Sequence, residues 1–312
     1  MRTELPPATF ANVLPPNKDH DYFLYKNQYP FQPRSQAFSL SNAWWLAESA
    51  LLSYAEPDFA IGKFNDAGFT VYDNDVIQGD GTQCYVVYTD NVIIVAFRGT
   101  QVVKPGETNG SLKEALNEVI KDVVTDAKVI PVYSKQGGNV HKGFMDALDQ
   151  IWDEQLLPCL KNLLSETGKN RTVWMTGHSL GAALATLAAD RFGHVQGVYN
   201  FGSPRVGDQS FADDYFVNTY RFVNNNDIVP RVPWRPYVHV GQLKYIDSDG
   251  QLIDDITVWQ SVSEQFVGRW KHLINALGGL RSGWVFQLPE DGFNDHSPMF
   301  YALHIRNLLC NA

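Results

Sequence analysis

The chain has 312 residues, 44% of them hydrophobic, 13% aromatic and 19% charged, a composition that can bury a large core and is unlike that of a disordered segment. Its formal net charge of −9, from 25 Lys and Arg against 34 Asp and Glu, disfavours nucleic acid as a partner and offers anionic lipid no polybasic surface. The chain lacks an apolar run of about 18 residues that would cross a membrane, and its first residues lack the basic and apolar regions of a secretory signal. A soluble protein is expected, either cytoplasmic or secreted by a route or precursor not visible here. Cys84, Cys159 and Cys310 form an odd set without CxxC or zinc-like spacing. They read as buried thiols, one disulfide being the alternative.

Six of the 16 prolines fall within residues 1–33, interleaved with Phe10, Tyr22, Phe23, Tyr25, Tyr29 and Phe31. Linkers are poor in aromatics, so residues 1–37 are expected to lie extended across the body of one domain spanning 1–312. A helix follows over 41–54, with Ser41 as cap, Trp44, Trp45, Leu51 and Leu52 inward, and Pro57 as its stop. Strand-like runs come at 69–72, 84–88 and 92–97, the last two joined by Asp90-Asn91 as a hairpin. A long helix is predicted from 143 to 164, with a kink at Pro158. Strands at 172–176, 198–201 and 220–223 then alternate with a helix at 182–191. Such alternation predicts a mostly parallel sheet covered by helices.

Gly177, Ser179 and Gly181 make a G-x-S-x-G. The pentapeptide alone is a weak signal, but here a β-rich run ends at Gly177 and an Ala/Leu-rich helix starts after Gly181, the strand-turn-helix setting of a nucleophile elbow. Glycines two residues on either side leave room for backbone that a Cβ would block. The helix that follows aims its first N–H groups at the reacting centre. A serine hydroxyl needs a base to activate it and an acid to orient that base, in the chain order Ser, Asp or Glu, His.

Asp227 closes the run Asn224-Asn225-Asn226-Asp227 after a strand, where catalytic groups are usually placed. An Asx-turn explains the same residue equally well. Of the later histidines, His194 precedes Asp227, and His272 and His304 lie in helical patterns. His296, in Asp295-His296-Ser297-Pro298, sits on a loop just ahead of a helix that Ser297 caps and Pro298 begins. It is preferred as the base, with His239 second.

These residues resemble the class 3 lipase family, the filamentous-fungal type triacylglycerol lipases and their bacterial and plant relatives. The resemblance runs from Trp44 to Leu308 through Phe97-Arg98-Gly99-Thr100, Val140-His141-Lys142-Gly143-Phe144, Gly-His-Ser-Leu-Gly at 177–181, Phe201-Gly202-Ser203-Pro204-Arg205-Val206-Gly207 and Asn226-Asp227-Ile228-Val229-Pro230. It implies an α/β-hydrolase fold and an acyl hydrolase with Ser179, Asp227 and His296 as triad, without metal or cofactor. It further implies that Thr100 and the Leu180 N–H form the oxyanion hole and that Asp126 supports Thr100. The aromatic residue the family often places shortly before that aspartate is missing.

The same resemblance makes residues 101–121 a lid helix, whose Leu112, Leu116, Val119 and Ile120, with Val123 just beyond, share one face that would cover an acyl pocket or touch a lipid interface transiently; an ordinary surface helix that packs this stripe permanently is the alternative. Residues 242–289 depart from compact family members and read as a helical insertion, with Trp259, Val262, Phe266 and Trp270 in helical register. Substrates implied are lipid or long-chain esters. Two other readings stand beside a triacylglycerol lipase: an sn-1 phospholipase or feruloyl-type esterase, and a catalytically silent scaffold of the same fold.

Overall fold

The computed structural model describes residues 3–7, 9, 12, 15, 17–100, 130–134, 137–233, 235–254 and 294–311. In chain order they form α1 (Leu40–Leu52), α2 (Pro57–Ala67), β1 (Val76–Gln78), β2 (Gln83–Tyr88), β3 (Val92–Phe97), β4 (Pro131–Tyr133), β5 (Asn139–His141), α3 (Lys142–Ile151), α4 (Leu157–Ser165), β6 (Thr172–His178), α5 (Leu180–Phe192), β7 (Gly197–Phe201), α6 (Gln209–Asp214), β8 (Thr219–Asn224), β9 (Gln242–Ile246), β10 (Leu252–Ile253) and α7 (Pro298–Asn311). Among the described residues one sheet has the order β1-β2-β3-β6-β7-β8-β9-β10, and β4 pairs with β5 apart from it. Neighbours from β3 to β9 are parallel. The hairpins β1-β2, β2-β3 and β9-β10 are antiparallel.

Because strand side chains alternate faces, each central strand feeds two cores. Val92 and Ile94 of β3, Tyr85 and Val87 of β2, and Trp174 of β6 join Trp44, Trp45, Leu51 and Ile305 on one face. Ile93, Val95, Cys84, Val86, Val173 and Met175 join Phe144, Leu148, Leu160 and Leu184 on the other. The first face is covered by α1 and α7, which pack against each other, and the second by α3, α4 and α5. With helices on both sides the strands have no solvated face, which is why they are continuous Val/Ile runs.

Residues 17–39 run mostly through turns rather than extended backbone. Side chains at the sheet edge hold them: Trp174 Nε1 and Thr172 Oγ1 donate to the Pro33 carbonyl at 2.9 and 2.8 Å, and Gln196 and Asn218 donate to the carbonyls of Ser35 and Gln36. Helix α1 starts one residue earlier than expected, with Ser39 accepting from the Asn42 N–H as N-cap. Pro57 does not merely stop it but opens α2 at its first position, where a missing N–H costs nothing.

The long helix is interrupted not at Pro158 but before it. Residues Trp152–Leu156 widen into a π-turn in which the Leu157 N–H reaches the Trp152 carbonyl, a rearrangement that accommodates a proline which can neither donate nor tolerate the carbonyl of a regular preceding turn. The stretch 242–254, expected to open a helical insertion, is instead the β9-β10 hairpin. Leu243 and Tyr245 pack with Val223, while Lys244 lies 4.2 Å from the Phe38 ring centre and Ile246 joins the first core. Its turn is made by Asp247, whose Oδ1 accepts from the N–H groups of Asp249 and Gln251. The rest of the insertion, and the lid at 101–121, lie outside the described residues. No described helix is long and apolar enough to cross a membrane.

Candidate active site

Ser179 lies between β6 and α5 with φ 57° and ψ −127°. A non-glycine residue there carries about 1–3 kcal/mol of strain, held by the close passage of its neighbours. A Cβ on Gly177 would come within 2.3 Å of the Gly181 carbonyl carbon and oxygen, and one on Gly181 within 2.2 Å of the Phe97 carbonyl oxygen. The glycines therefore let β3, β6 and the start of α5 converge on one point. The Ser179 N–H donates to the Phe201 carbonyl at 3.0 Å, tying the turn to β7. Leu180 and Gly181 open α5, so their N–H groups have no acceptor within the helix.

His296 enters from the turn before α7. Its Nδ1 is 2.9 Å from Asp227 Oδ2, and both side chains are buried, at 4% and 0% exposure. Asp227 also fills the Asx-turn role: its Oδ1 accepts from the Val229 N–H at 2.9 Å, leaving Oδ2 for the imidazole. The two readings of this residue are thus compatible, one per oxygen. Gly202, with φ +59°, lies against the pair, since a Cβ there would be 2.9 Å from Asp227 Oδ2 and 3.0 Å from His296 Nδ1. Ser179, 2% exposed, and His296 therefore both lie against the Phe201-Gly202 backbone. Ser179 Oγ and His296 Nε2 are buried atoms without a hydrogen-bond partner among the described residues.

Three further side chains complete this centre, and none was singled out by sequence reasoning. His178 Nε2 is 2.7 Å from the His296 carbonyl oxygen. A carbonyl only accepts, so Nε2 carries the proton and Nδ1 accepts the Tyr54 hydroxyl hydrogen at 2.9 Å. Burial, then the charge of His296, holds the His178 imidazole well below the usual histidine range, which keeps it neutral. The Tyr54 hydroxyl lies close against Gly99, where a Cβ would clash with it. On the opposite side Tyr301 donates to Asp227 Oδ2 at 2.6 Å and accepts from the Asn224 N–H at 2.9 Å. Burial and the Asp227 charge push its phenol well above the usual range, so it stays a donor. A chain of hydrogen bonds thus runs from Tyr54 to Asn224 at the end of β8, passing through His296. The signals were present: His178 is the variable residue inside the pentapeptide, and Tyr301 lies about one helical turn beyond His296.

Thr100 is half-buried and follows Gly99, where a Cβ would lie 2.7 Å from the His178 carbonyl. That contact puts the Phe97-to-Thr100 segment against the turn bearing Ser179 and Leu180. Asp126 lies outside the described residues, as does His272. His239 is directed elsewhere, with Nε2 2.6 Å from the Pro230 carbonyl, and His194 is exposed. Cys84 is buried and Cys159 and Cys310 are half-buried, all three as free thiols. Among the described residues no group of three or more His, Cys, Asp or Glu is arranged to hold a metal.

Comparison with known proteins adds four findings. The family described as Lipase (class 3) matches residues 94–237. A lipase of Rhizomucor miehei is 34% identical over 143 residues, 41% of this chain and 39% of that protein, so the chain spans less than half that relative's length. A protein of Fusarium solani named secreted mono- and diacylglycerol lipase 1 is 30% identical over 244 residues, 70% of this chain and 67% of that protein. Among solved structures, a form of the Penicillium cyclopium protein MDLA matches with TM-score 0.51 at 26% identity, covering 69% of this chain and 82% of that one. The mostly parallel sheet between two helical layers is an α/β-hydrolase fold. With the matched region enclosing both Ser179 and Asp227, and a relative aligned along two thirds of its length, the chain belongs to the class 3 lipase family.

Proposed function

We propose that this protein is a serine carboxyl-ester hydrolase, a triacylglycerol lipase that cleaves fatty-acyl esters through an acyl-enzyme on Ser179. The observation that carries this reading is the buried pair of unpartnered atoms, Ser179 Oγ and His296 Nε2, with the far nitrogen of the same ring bonded to Asp227. His296 Nε2 takes the proton as Ser179 Oγ bonds to the ester carbonyl carbon. The oxyanion is held by N–H groups at Thr100 and Leu180, and Asp126 steadies Thr100. Collapse of the adduct breaks the ester C–O bond, and His296 returns the proton to the departing alcohol. A water molecule then repeats the sequence and releases the acid. Asp227 stabilises the imidazolium that forms in both halves.

The Fusarium relative's name, a mono- and diacylglycerol lipase, favours partial glycerides as additional substrates. Rates on p-nitrophenyl esters of increasing chain length, and on mono-, di- and triacylglycerol emulsions, test the reading with Ser179→Ala as control. The expected result is a loss of about 10⁴-fold or more in the variant and faster turnover of long-chain glycerides than of phospholipid or feruloyl esters. Equal rates for wild type and Ser179→Ala would overturn it.

A further inference from the structure

The two turns that carry the acid and the base are laced together by a residue to which the proposed reaction assigns no task. Residues 224–227 form one turn, closed by the Asp227 N–H on the Asn224 carbonyl at 2.8 Å, and residues 294–297 form another, closed by the Ser297 N–H on the Asn294 carbonyl at 3.0 Å. Between them Asp295 makes three bonds. Its Oδ2 accepts from Asn225 Nδ2 and from the Asn226 N–H, each at 3.0 Å, and its carbonyl accepts from Asn224 Nδ2 at 3.0 Å. The bond from His296 Nδ1 to Asp227 Oδ2 is a fourth link across the same gap.

We infer that Asp295 is a positioning residue, which sets the separation of the Asp227 and His296 turns and so the alignment of the acid with the base. This rests on the hydrolase reading above and assigns Asp295 no contact with substrate. The three consecutive asparagines then have a shared purpose: Asn224 and Asn225 supply side-chain amides and Asn226 its backbone N–H, all aimed at one neighbour. Asn225 holds φ +38°, a left-handed conformation that asparagine tolerates better than most residues. That twist belongs to the conformation in which its amide meets the Asp295 carboxylate. One acceptor oxygen bridging a side-chain donor and the next residue's N–H fixes both position and direction of the turn. His296, the next residue after Asp295, inherits that placement through a single peptide unit.

The test compares Asp295→Ala, Asp295→Asn and Asn225→Gly with wild type, on a short water-soluble p-nitrophenyl ester, together with labelling by a fluorophosphonate. Asp295→Ala is expected to lower kcat about 10- to 100-fold with KM unchanged within about threefold, and to slow labelling in parallel. Asp295→Asn keeps an acceptor oxygen and is expected to recover most of kcat. Asn225→Gly, which relieves the backbone and deletes one bond, is expected to lose about threefold, and the double variant with Asp295→Ala to lose no more than Asp295→Ala alone. A kcat for Asp295→Ala within twofold of wild type would overturn the inference, as would an Asp295→Asn variant no better than alanine. Should Asp295→Ala not fold, an Asn225→Gly variant with the wild-type kcat would overturn the inference. A wild-type chain inert to both ester and phosphonate fails the hydrolase reading itself and takes this inference with it.

Discussion

His178 holds the backbone of His296: its Nε2–H donates to the His296 carbonyl at 2.7 Å, and the two imidazole centres lie 4.4 Å apart. One of the rings is kept neutral by burial, so a proton arriving on the other in the proposed reaction meets no second positive charge. His178→Gln, whose amide keeps one donor and one acceptor, is expected to keep activity within about tenfold. His178→Phe removes donor and acceptor together and leaves the Tyr54 hydroxyl without its acceptor, so a loss of about 100-fold in kcat is expected. Steady-state rates on a soluble ester separate the two variants, and equal losses would remove the positioning role.

Tyr301→Phe deletes the donor to Asp227 and leaves the buried Asn224 N–H unsatisfied. The stability cost expected is about 1–3 kcal/mol, read from urea unfolding. Because the lost bond ends on the oxygen that also meets His296, kcat should fall by about tenfold as well. A variant as active as wild type would show that the imidazole alone orients Asp227.

Gly202→Ala brings a methyl to 2.9 Å from Asp227 Oδ2 and 3.0 Å from the His296 ring, at a φ of +59°. A displacement of the pair by even about 1 Å costs on the order of 10²-fold in rate, and the backbone strain adds about 1–2 kcal/mol. Activity and melting temperature should both drop, activity the more steeply. The glycine of the Phe201-Gly202-Ser203 motif is thereby explained by the room that Asp227 and His296 require.

Acid should destabilise the fold through its buried neutral imidazoles. His178 and His239 are both held well below the usual range, each chiefly by burial. The unfolded chain takes up these protons as pH drops below about 6.5 while the folded chain does not, so each ring removes up to about 1.4 kcal/mol of stability per pH unit below that point. Asp190 acts in the opposite sense. Its carboxyl is pushed up to about 6, mainly by burial, so its contribution favours the folded state as pH falls towards 4 and is lost as pH rises through 6. Urea midpoints between about pH 7.5 and 5 should therefore decline, and decline less in His178→Gln by up to that per-ring amount.

Much of the fold could be read from local pattern. The Val/Ile runs of β2 and β3 around Asp90-Asn91, and the strand-turn-helix about Ser179, are signals carried by adjacent residues, and they sit where expected. The β9-β10 hairpin was missed although Asp247-Ser248-Asp249-Gly250 is a turn sequence, because the apolar residues beyond it impose a helical period on the eye. The π-turn at 152–156 was misplaced because a proline's effect is felt in the turn preceding it. In the site, the triad candidates Ser179, Asp227 and His296 were identified by type and order. Tyr54, His178 and Tyr301 were not, since a tyrosine in a helical pattern, or a histidine inside a motif read for its serine, looks like packing until the partner that comes from elsewhere in the chain is known. The Asp227 ambiguity illustrates the same limit, as local reading could not see that two oxygens serve two partners.

Helix α7 begins two residues after His296, supplies Tyr301 to Asp227, and packs against α1 from the far end of the sequence. The central strands need no help from it to pair with one another. Loosening of this one element should therefore abolish the proposed activity while most of the secondary structure survives, so that on gentle heating ester turnover disappears ahead of the far-ultraviolet dichroism. Inactivation and global melting become separate events, inactivation being governed by how firmly α7 grips α1.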